Sequence, residues 1–137
     1  MLLGLLALAA VEPNWRPNYH AFRGYRLLED GSSSEAVSML REALRLEGDA
    51  PELQNGVAYA LAEAGVELEE ALRLVDGALE HDPENADYLD TKGWILCKQG
   101  DVESGLEWVR RASVASGGGV AEIEEHLESC GNPPPAG

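Results

Sequence analysis

Three side chains near the C-terminus have chemical types that bind metal ions. Glu122, His126 and Cys130 are spaced four residues apart, so they share one face of a predicted helix. Carboxylate, imidazole and thiolate groups are all zinc ligands. The first and last of them lie about 12 Å apart along a helix, too far for one tetrahedral ion. We therefore interpret this segment as a polar, solvated helix and predict no metal ion and no other cofactor.

The sequence carries no motif of an enzyme. No nucleophile stands at motif spacing from a base, and no Gly-x-Ser-x-Gly, Walker loop or dinucleotide fingerprint is present. The run Gly117-Gly118-Gly119 precedes a predicted helix but lacks the lysine and the strand of a phosphate-binding loop. We predict no catalytic residue. An enzyme or metal carrier centred on His126 and Cys130 is the most distant of three functional hypotheses.

Aromatic side chains recur along the chain in a pattern suited to binding. Tyr25, Tyr59 and Trp94 are separated by 34 and 35 residues. Aromatic residues are enriched at binding hot spots because they supply a large contact area at a low entropic cost. Polar side chains stand one helical turn before or after this column, namely Asn55, Asp90 and Lys98. The alternative is that the aromatic rings only wedge adjacent helices apart.

Small residues repeat at the same spacing and indicate which elements position the aromatic column. Four columns step by 34 or 35 residues: Gly24, Ala58, Gly93; Gly31, Gly65, Gly100; Ala36, Ala71, Gly105; and Ala43, Ala78, Ala112. Small side chains allow helices to approach closely, and the apolar residues between them recur with helical periodicity. The spacing therefore predicts three copies of a helix pair.

A repeat of about 34 residues with this content resembles the tetratricopeptide repeat (TPR). The family's small positions are matched at Gly24, Gly93, Ala36 and Ala78, and its proline at Pro83; Leu89 to Trp94 resembles a form common in bacterial TPR proteins. Departures from the pattern are Gly105, where alanine is usual, and Gly48 and Gly117, where proline is usual. The resemblance implies an all-α fold, an α-solenoid of about three helix–turn–helix repeats with a C-terminal capping helix.

The spacing also divides the chain. We predict a TPR array over 13–131, with repeats at about 17–50, 51–85 and 86–117 and a cap at 118–131. Residues 132–137 form a predicted disordered tail. The apolar residues 1–12 are interpreted as a leading helix of an incomplete repeat or as a targeting segment, because the run is too short to span a bilayer.

Charge limits the partners. The chain has 25 acidic and 10 basic residues, a net charge of −15, so it repels nucleic acid and anionic membranes. A neutral or basic protein fits better. Cys97 and Cys130 do not amount to the disulfide framework of a small secreted domain, and we expect a reducing compartment. The cytoplasm is therefore favoured, with export or membrane association as the alternative if residues 1–10 are a signal.

The resemblance implies a function in protein binding. In a TPR array the first helices line a concave groove, which places Tyr25, Asn55, Tyr59, Asp90, Trp94 and Lys98 there. The lysine–asparagine clamp of the family's chaperone-binding subtype is missing, because Ala21 and Tyr25 occupy its first places. We expect an adaptor or assembly factor that binds a protein or peptide segment. The alternative is a permanent accessory subunit of a larger complex.

Overall fold

The computed structural model describes the backbone of residues 15–132 and the side chains of residues 19–130 and 132. In this range the chain forms seven α-helices and no strand, as the sequence predicts. The helices are α1 Trp15–Glu29, α2 Ser33–Glu47, α3 Pro51–Ala64, α4 Leu68–His81, α5 Ala86–Lys98, α6 Val102–Ser116 and α7 Ala121–Gly131. The predicted leading helix of residues 1–12 and nearly all of the predicted tail lie outside the described residues.

The helices pack in consecutive pairs, and the pairs stack. Short connections join α1 to α2, α3 to α4 and α5 to α6, and each of these pairs is in contact. The first helices also form a continuous layer, because α3 contacts α1 and α5, and α5 contacts α7. Each pair therefore touches only its neighbours, as in other repeat proteins. The layer α1, α3, α5 and α7 presents one shared surface.

Glycine ends the first helix of every pair. Gly31, Gly65 and Gly100 all have positive φ values, of 83°, 68° and 91°. In each case the amide of the following residue bonds to a carbonyl five residues earlier, as in Ser32 N–H to Leu27 O at 2.8 Å. This is the Schellman motif, which strongly favours glycine because a side chain strains the left-handed backbone. The glycine column of the sequence is therefore a column of helix ends.

The columns of small residues lie between helices, which confirms the sequence prediction. Ala36, Ala43, Ala58, Ala71, Ala78 and Ala112 are all fully buried. Larger apolar side chains fill the space around them, with Leu40, Leu61 and Val75 also fully buried. At the far end Leu89, Val109 and Ile123 form a second cluster that joins α5, α6 and α7. Burial of this apolar area is the main force that holds the pairs together.

Helices α5 and α6 approach most closely where two glycines face each other. A Cβ atom at Gly93 would lie 2.5 Å from Val109 Cγ2 and 2.7 Å from the carbonyl oxygen of Gly105. A Cβ atom at Gly105 would collide with Cys97 Sγ and lie 2.8 Å from the carbonyl oxygen of Gly93. Alanine is usual at this place in the repeats that the sequence resembles. Glycine at position 105 fits the structure because α5 leaves no room for a Cβ atom.

The capping helix is held by a covalent bond that the sequence analysis did not expect. Cys97 at the end of α5 and Cys130 near the end of α7 form a disulfide, with their Cα atoms 5.5 Å apart. The cysteines therefore no longer support the expectation of a reducing compartment, because this bond joins them. Two cysteines do not make a framework of several bridges, but α7 packs back along α5 and brings this pair within bonding distance.

No helix in residues 15–132 combines the length and the apolar character needed to cross a bilayer.

Candidate partner-binding groove

A cavity of about 510 Å³ opens on the layer of first helices. This volume lies within the usual range of ligand-binding pockets. Its lining comes from α1, α3, α5 with its N-terminal cap, and α7: Tyr25, Leu28, Glu29, Glu52, Asn55, Gly56, Tyr59, Asn85, Asp87, Tyr88, Asp90, Thr91 and Glu122. Three repeats and the cap therefore build one site, which we call the groove pocket.

Tyrosines form the aromatic part of the groove pocket. Tyr88 is 6% exposed and belongs to the core, while Tyr25 is more open and donates a hydrogen bond to the Glu52 carbonyl oxygen at 3.3 Å. The ring of Tyr25 lies directly over Gly56, where a Cβ atom would come within 2.8 Å of the Tyr25 hydroxyl. Glycine at this place in α3 leaves the space that the Tyr25 ring occupies.

Acidic groups surround these rings. Five lining residues carry carboxylates: Glu29, Glu52, Asp87, Asp90 and Glu122. No lysine, arginine or histidine belongs to the described lining. Glu29 meets Arg26 at 3.9 Å across a solvent-exposed pair, which contributes little. Asp90 is paired with His126, whereas Glu52, Asp87 and Glu122 form no ion pair with the described basic side chains. The groove pocket is therefore strongly negative.

The negative field and the burial act on the tyrosine hydroxyls. The pKa of Tyr59 is raised first by burial, then by the charges of Glu122 and Glu63 and by a hydrogen bond with Glu122. The pKa of Tyr25 is raised by burial and by Glu52. Both pKa values are raised for the same two reasons, because a phenolate would be poorly solvated and would face like charges. The phenols therefore stay neutral hydrogen-bond donors at physiological pH.

The capping helix enters this site through His126. Its Nδ1 atom lies 2.8 Å and 2.9 Å from the two carboxylate oxygens of Asp90. Its ring stacks on the indole of Trp94 with centroids 4.4 Å apart, and the ring of Tyr59 lies 6.0 Å away. Burial raises the pKa of Asp90, while the hydrogen bond and the charge of His126 lower it. A buried, paired carboxylate thus fixes α7 on α5.

These groups also include a geometric candidate for metal binding. Asp90, Glu122 and His126 each bring one ligand atom within 4.8 Å of the others. Carboxylate and imidazole ligands suit a divalent cation such as zinc. However, the Nδ1 atom of His126 already contacts both oxygens of Asp90, and His126 and Asp90 are together nearly fully buried. The arrangement has the geometry of a hydrogen-bonded carboxylate–imidazole pair.

The structure brings four of the six predicted groove residues together. Tyr25, Asn55, Tyr59 and Asp90 all line the groove pocket. Trp94 and Lys98 stand one and two turns further along α5 and do not line it. The indole Nε1 of Trp94 donates a hydrogen bond to Glu63 Oε1 at 2.7 Å, and Lys98 Nζ lies 4.8 Å from the indole centroid.

The interpretation of Glu122, His126 and Cys130 as a polar, solvated helix is wrong for two of the three. His126 is 6% and Cys130 2% exposed, whereas Glu122 is exposed and reaches the groove pocket. The sequence did hold a signal for this. Ile123, His126, Leu127 and Cys130 follow the i, i+3, i+4, i+7 pattern of a buried helix face. The many glutamates of the segment concealed it. Glu52 and Tyr88 in the pocket lining were also missed.

This geometry defines the class of the protein: a helical repeat protein with a groove on its layer of first helices. The sequence profile of the tetratricopeptide repeat matches residues 27–95, half of the chain. The chain belongs to the tetratricopeptide-repeat family. No curated protein matches it in sequence.

Solved structures of TPR proteins share the fold. The Sgt2 TPR domain from Aspergillus fumigatus superposes with a TM-score of 0.71 at 20% identity, covering 91% of this chain and 89% of that domain. The MamA RS-1 ArsTM double mutant superposes with a TM-score of 0.67 at 19% identity. The match covers 93% of this chain and 71% of the MamA chain. At such identities the likeness concerns the fold alone.

Proposed function

We propose that this protein is an interaction module that binds a protein or peptide segment in the groove pocket and acts as an adaptor or assembly factor without catalysing a reaction. TPR repeats are in general protein–protein interaction modules, and the chain belongs to that family. The proposed contact residues are Tyr25, Asn55, Tyr59 and Asp90 in the pocket. Trp94 and Lys98 extend the proposed surface along α5.

The observation that carries this proposal is the composition of the groove pocket. Its walls combine the partly exposed rings of Tyr25 and Tyr59 with polar and acidic groups, supplied by four different helices. Such walls match the general pattern of binding sites, in which aromatic anchors supply contact area and a few polar groups fix orientation. A segment lying along the groove would cross all three repeats.

Charge supports a neutral or basic partner. The net charge is −15 and the pocket carries five carboxylates, so a basic segment is attracted and an acidic one repelled. Because long-range attraction is screened by salt, association with such a segment should slow as ionic strength rises. A nucleic acid partner is disfavoured for the same reason.

Capture of partners from the native source, read by mass spectrometry, tests the proposal. The Tyr25→Ala variant removes a pocket ring, whereas Phe22→Ala removes an aromatic ring from the same helix that is 64% exposed and does not line the pocket. We expect the first variant to lose the partner and the second to retain it, with both chains equally helical by circular dichroism. Equal capture by both variants would place binding elsewhere, for example around Trp108 on α6.

A permanent accessory subunit has less support. Its signature would be one large apolar patch, because obligate interfaces resemble a domain core. Of the seven exposed large apolar side chains in the described residues, three lie on α1, at Tyr19, Phe22 and Tyr25, and the other four are spread over different helices and loops. Single exposed apolar residues are normal on a soluble surface. Reversible association therefore fits the described surface better.

The compartment proposed for this function follows from the disulfide. Cys97 and Cys130 are bonded, and such bonds form and persist mainly in oxidising environments. We accordingly favour an exported protein over a cytoplasmic one. Blocking free thiols in the native protein before reduction, followed by mass spectrometry, tests this. If both cysteines are found blocked, they were free thiols in the native protein, and a reducing compartment would be favoured instead.

A further inference from the structure

We infer that the partner segment places an arginine side chain in the groove pocket, where acidic groups bind its guanidinium and tyrosine rings pack against it. This inference rests on the proposed function and names the chemistry that the same site recognises. It is distinct from a general preference for basic partners, because it assigns one side-chain type to one cavity.

The first argument is the uncompensated charge. Glu52, Asp87 and Glu122 come from three different helices, line one cavity and have no basic partner among the described side chains. Carboxylates held together without a counter-ion repel one another, and a cation placed between them relieves that repulsion. An incoming side chain is the natural source, because the described lining holds no cation of its own.

The second argument is an acceptor with no donor. Asn55 lines the groove pocket, and its side-chain oxygen Oδ1 is buried with no hydrogen-bond partner among the described residues. Buried polar atoms in proteins are nearly always hydrogen-bonded, so such an atom needs an explanation. This oxygen has almost no accessible surface in the unbound chain, so a ligand in the pocket would satisfy Asn55 and neighbouring carboxylates together when the Asn55 side chain rotates toward the cavity.

The third argument separates arginine from lysine. A guanidinium is planar, carries five N–H donors, pairs with carboxylates and stacks on aromatic faces, whereas an ammonium is a compact and strongly hydrated point charge. The pocket offers carboxylates on several sides and tyrosine rings between them, at Tyr25 and Tyr59. Its volume of about 510 Å³ admits an extended side chain together with part of the segment's backbone.

Small probes test the inference directly on the full chain. Nα-acetyl-arginine amide, the corresponding lysine amide and the neutral isostere Nα-acetyl-citrulline amide are titrated at constant salt, and binding is followed by NMR shifts of Asn55 and Tyr59. We expect saturable shifts with the arginine amide in the millimolar range, and at least roughly tenfold weaker binding of the citrulline and lysine amides. A chelator is present throughout, so that metal contamination does not contribute.

Matched charge variants separate the pocket from the general field of an acidic protein. Glu52→Gln/Glu122→Gln removes two pocket carboxylates, and Glu103→Gln/Glu107→Gln removes two exposed ones from α6. We expect arginine-amide binding to weaken about tenfold or more in the first variant and to stay within about twofold in the second. Equal weakening in both variants overturns the inference, because the attraction would then be non-specific.

The remaining outcomes are equally decisive. Equal affinities for the arginine and citrulline amides, or no shift at Asn55 and Tyr59, overturn the inference; if capture of the native partner still depends on Tyr25, the proposed function stands. Equal affinities for arginine and lysine amides overturn the assignment of a guanidinium. Capture that does not depend on Tyr25 overturns the proposed function, and this inference falls with it.

Discussion

We expect reduction of the Cys97–Cys130 bond to lower the free energy of unfolding by about 3–4 kcal/mol. The two cysteines are 33 residues apart, so the bond closes a loop of that size in the unfolded chain. The entropy removed by closing such a loop is about 12 cal/mol/K, or roughly 3.7 kcal/mol at 25 °C. For a chain of 137 residues that corresponds to a fall in Tm of about 13 °C.

The loss should begin at the capping helix. Among the described helices, α7 packs mainly on α5 and α6, through Ile123, His126 and the disulfide, and its His126 ring also lies 6.0 Å from the Tyr59 ring of α3. In a solenoid each unit is stabilised by its neighbours, so a unit that is packed on one side only, as α7 is among the described residues, opens first. Without the bond we expect amide hydrogen exchange to accelerate in α7 before it accelerates in α3 and α4.

The assay compares guanidinium unfolding of the oxidised and the reduced chain, followed by circular dichroism. The Cys97→Ser/Cys130→Ser variant is the control, because a reductant must leave its unfolding midpoint unchanged. Serine is the closest replacement for Cys97, whose sulfur packs directly against Gly105.

An unchanged midpoint after reduction would refute the reasoning, provided that alkylation shows both thiols to be free. It would mean that the packing of α7 alone fixes its position. A faster exchange that spreads evenly over all helices would contradict the second step, since the described structure predicts that opening starts at the cap.

Three further predictions concern the helix contacts and the groove. Gly93→Ala should lower the free energy of unfolding by about 1–3 kcal/mol, because the new methyl meets the α6 backbone, whereas Gly77→Ala meets only a flexible glutamine and should be neutral or stabilising in chemical denaturation. The Tyr59 phenol should ionise above the ordinary tyrosine pKa of about 10, and the stability that its raised pKa contributes should be lost as the pH rises from about 10 through the raised pKa. Absorbance at alkaline pH measures the ionisation and denaturant unfolding at the same pH values measures the stability, each compared with Tyr59→Phe. Gly56→Ala should leave the fold intact but displace the Tyr25 ring and weaken partner capture.

The repeat array could be predicted from the sequence because its determinants are local and periodic. Gly31 must end a helix with a left-handed residue, and Ala36 and Ala43 must be small because another helix passes over them. The same requirement returns in every repeat, so each column tests the others. A pattern that repeats three times is far more informative than a single helix of the same composition.

The capping helix could not be predicted in the same detail because it has no second copy. Its surroundings exist only once in the chain, and four glutamates among its eleven residues suggested a solvated helix. The partners of His126 and Cys130 are Asp90 and Cys97, which lie 36 and 33 residues earlier. Only the packing of α7 on α5 shows that these pairs meet. The position of a helix that is not repeated is therefore determined by long-range contacts, which the sequence pattern does not show.

The groove residues were predictable where they belong to a column and unpredictable where they do not. Tyr25 and Tyr59 occupy equivalent places in successive repeats and both line the pocket. Trp94 occupies the third such place, but the pocket ends before it because His126 stacks on its ring. The periodic pattern correctly gives the helix face that a residue occupies. It does not show that α7 covers Trp94, the last residue of the aromatic column.

The capping helix consequently links stability to binding. One face of α7 carries His126 and Cys130 into the core, while Glu122 on the same helix reaches the groove pocket. Removal of the His126 imidazole would leave the buried Asp90 without its hydrogen-bond partner, which costs about 1–3 kcal/mol for a buried polar group. Any change that undocks α7 therefore also removes Glu122 from the pocket and leaves Asp90, which lines the same pocket, without His126. In this chain the terminal element that closes the core is also a wall of the proposed binding site.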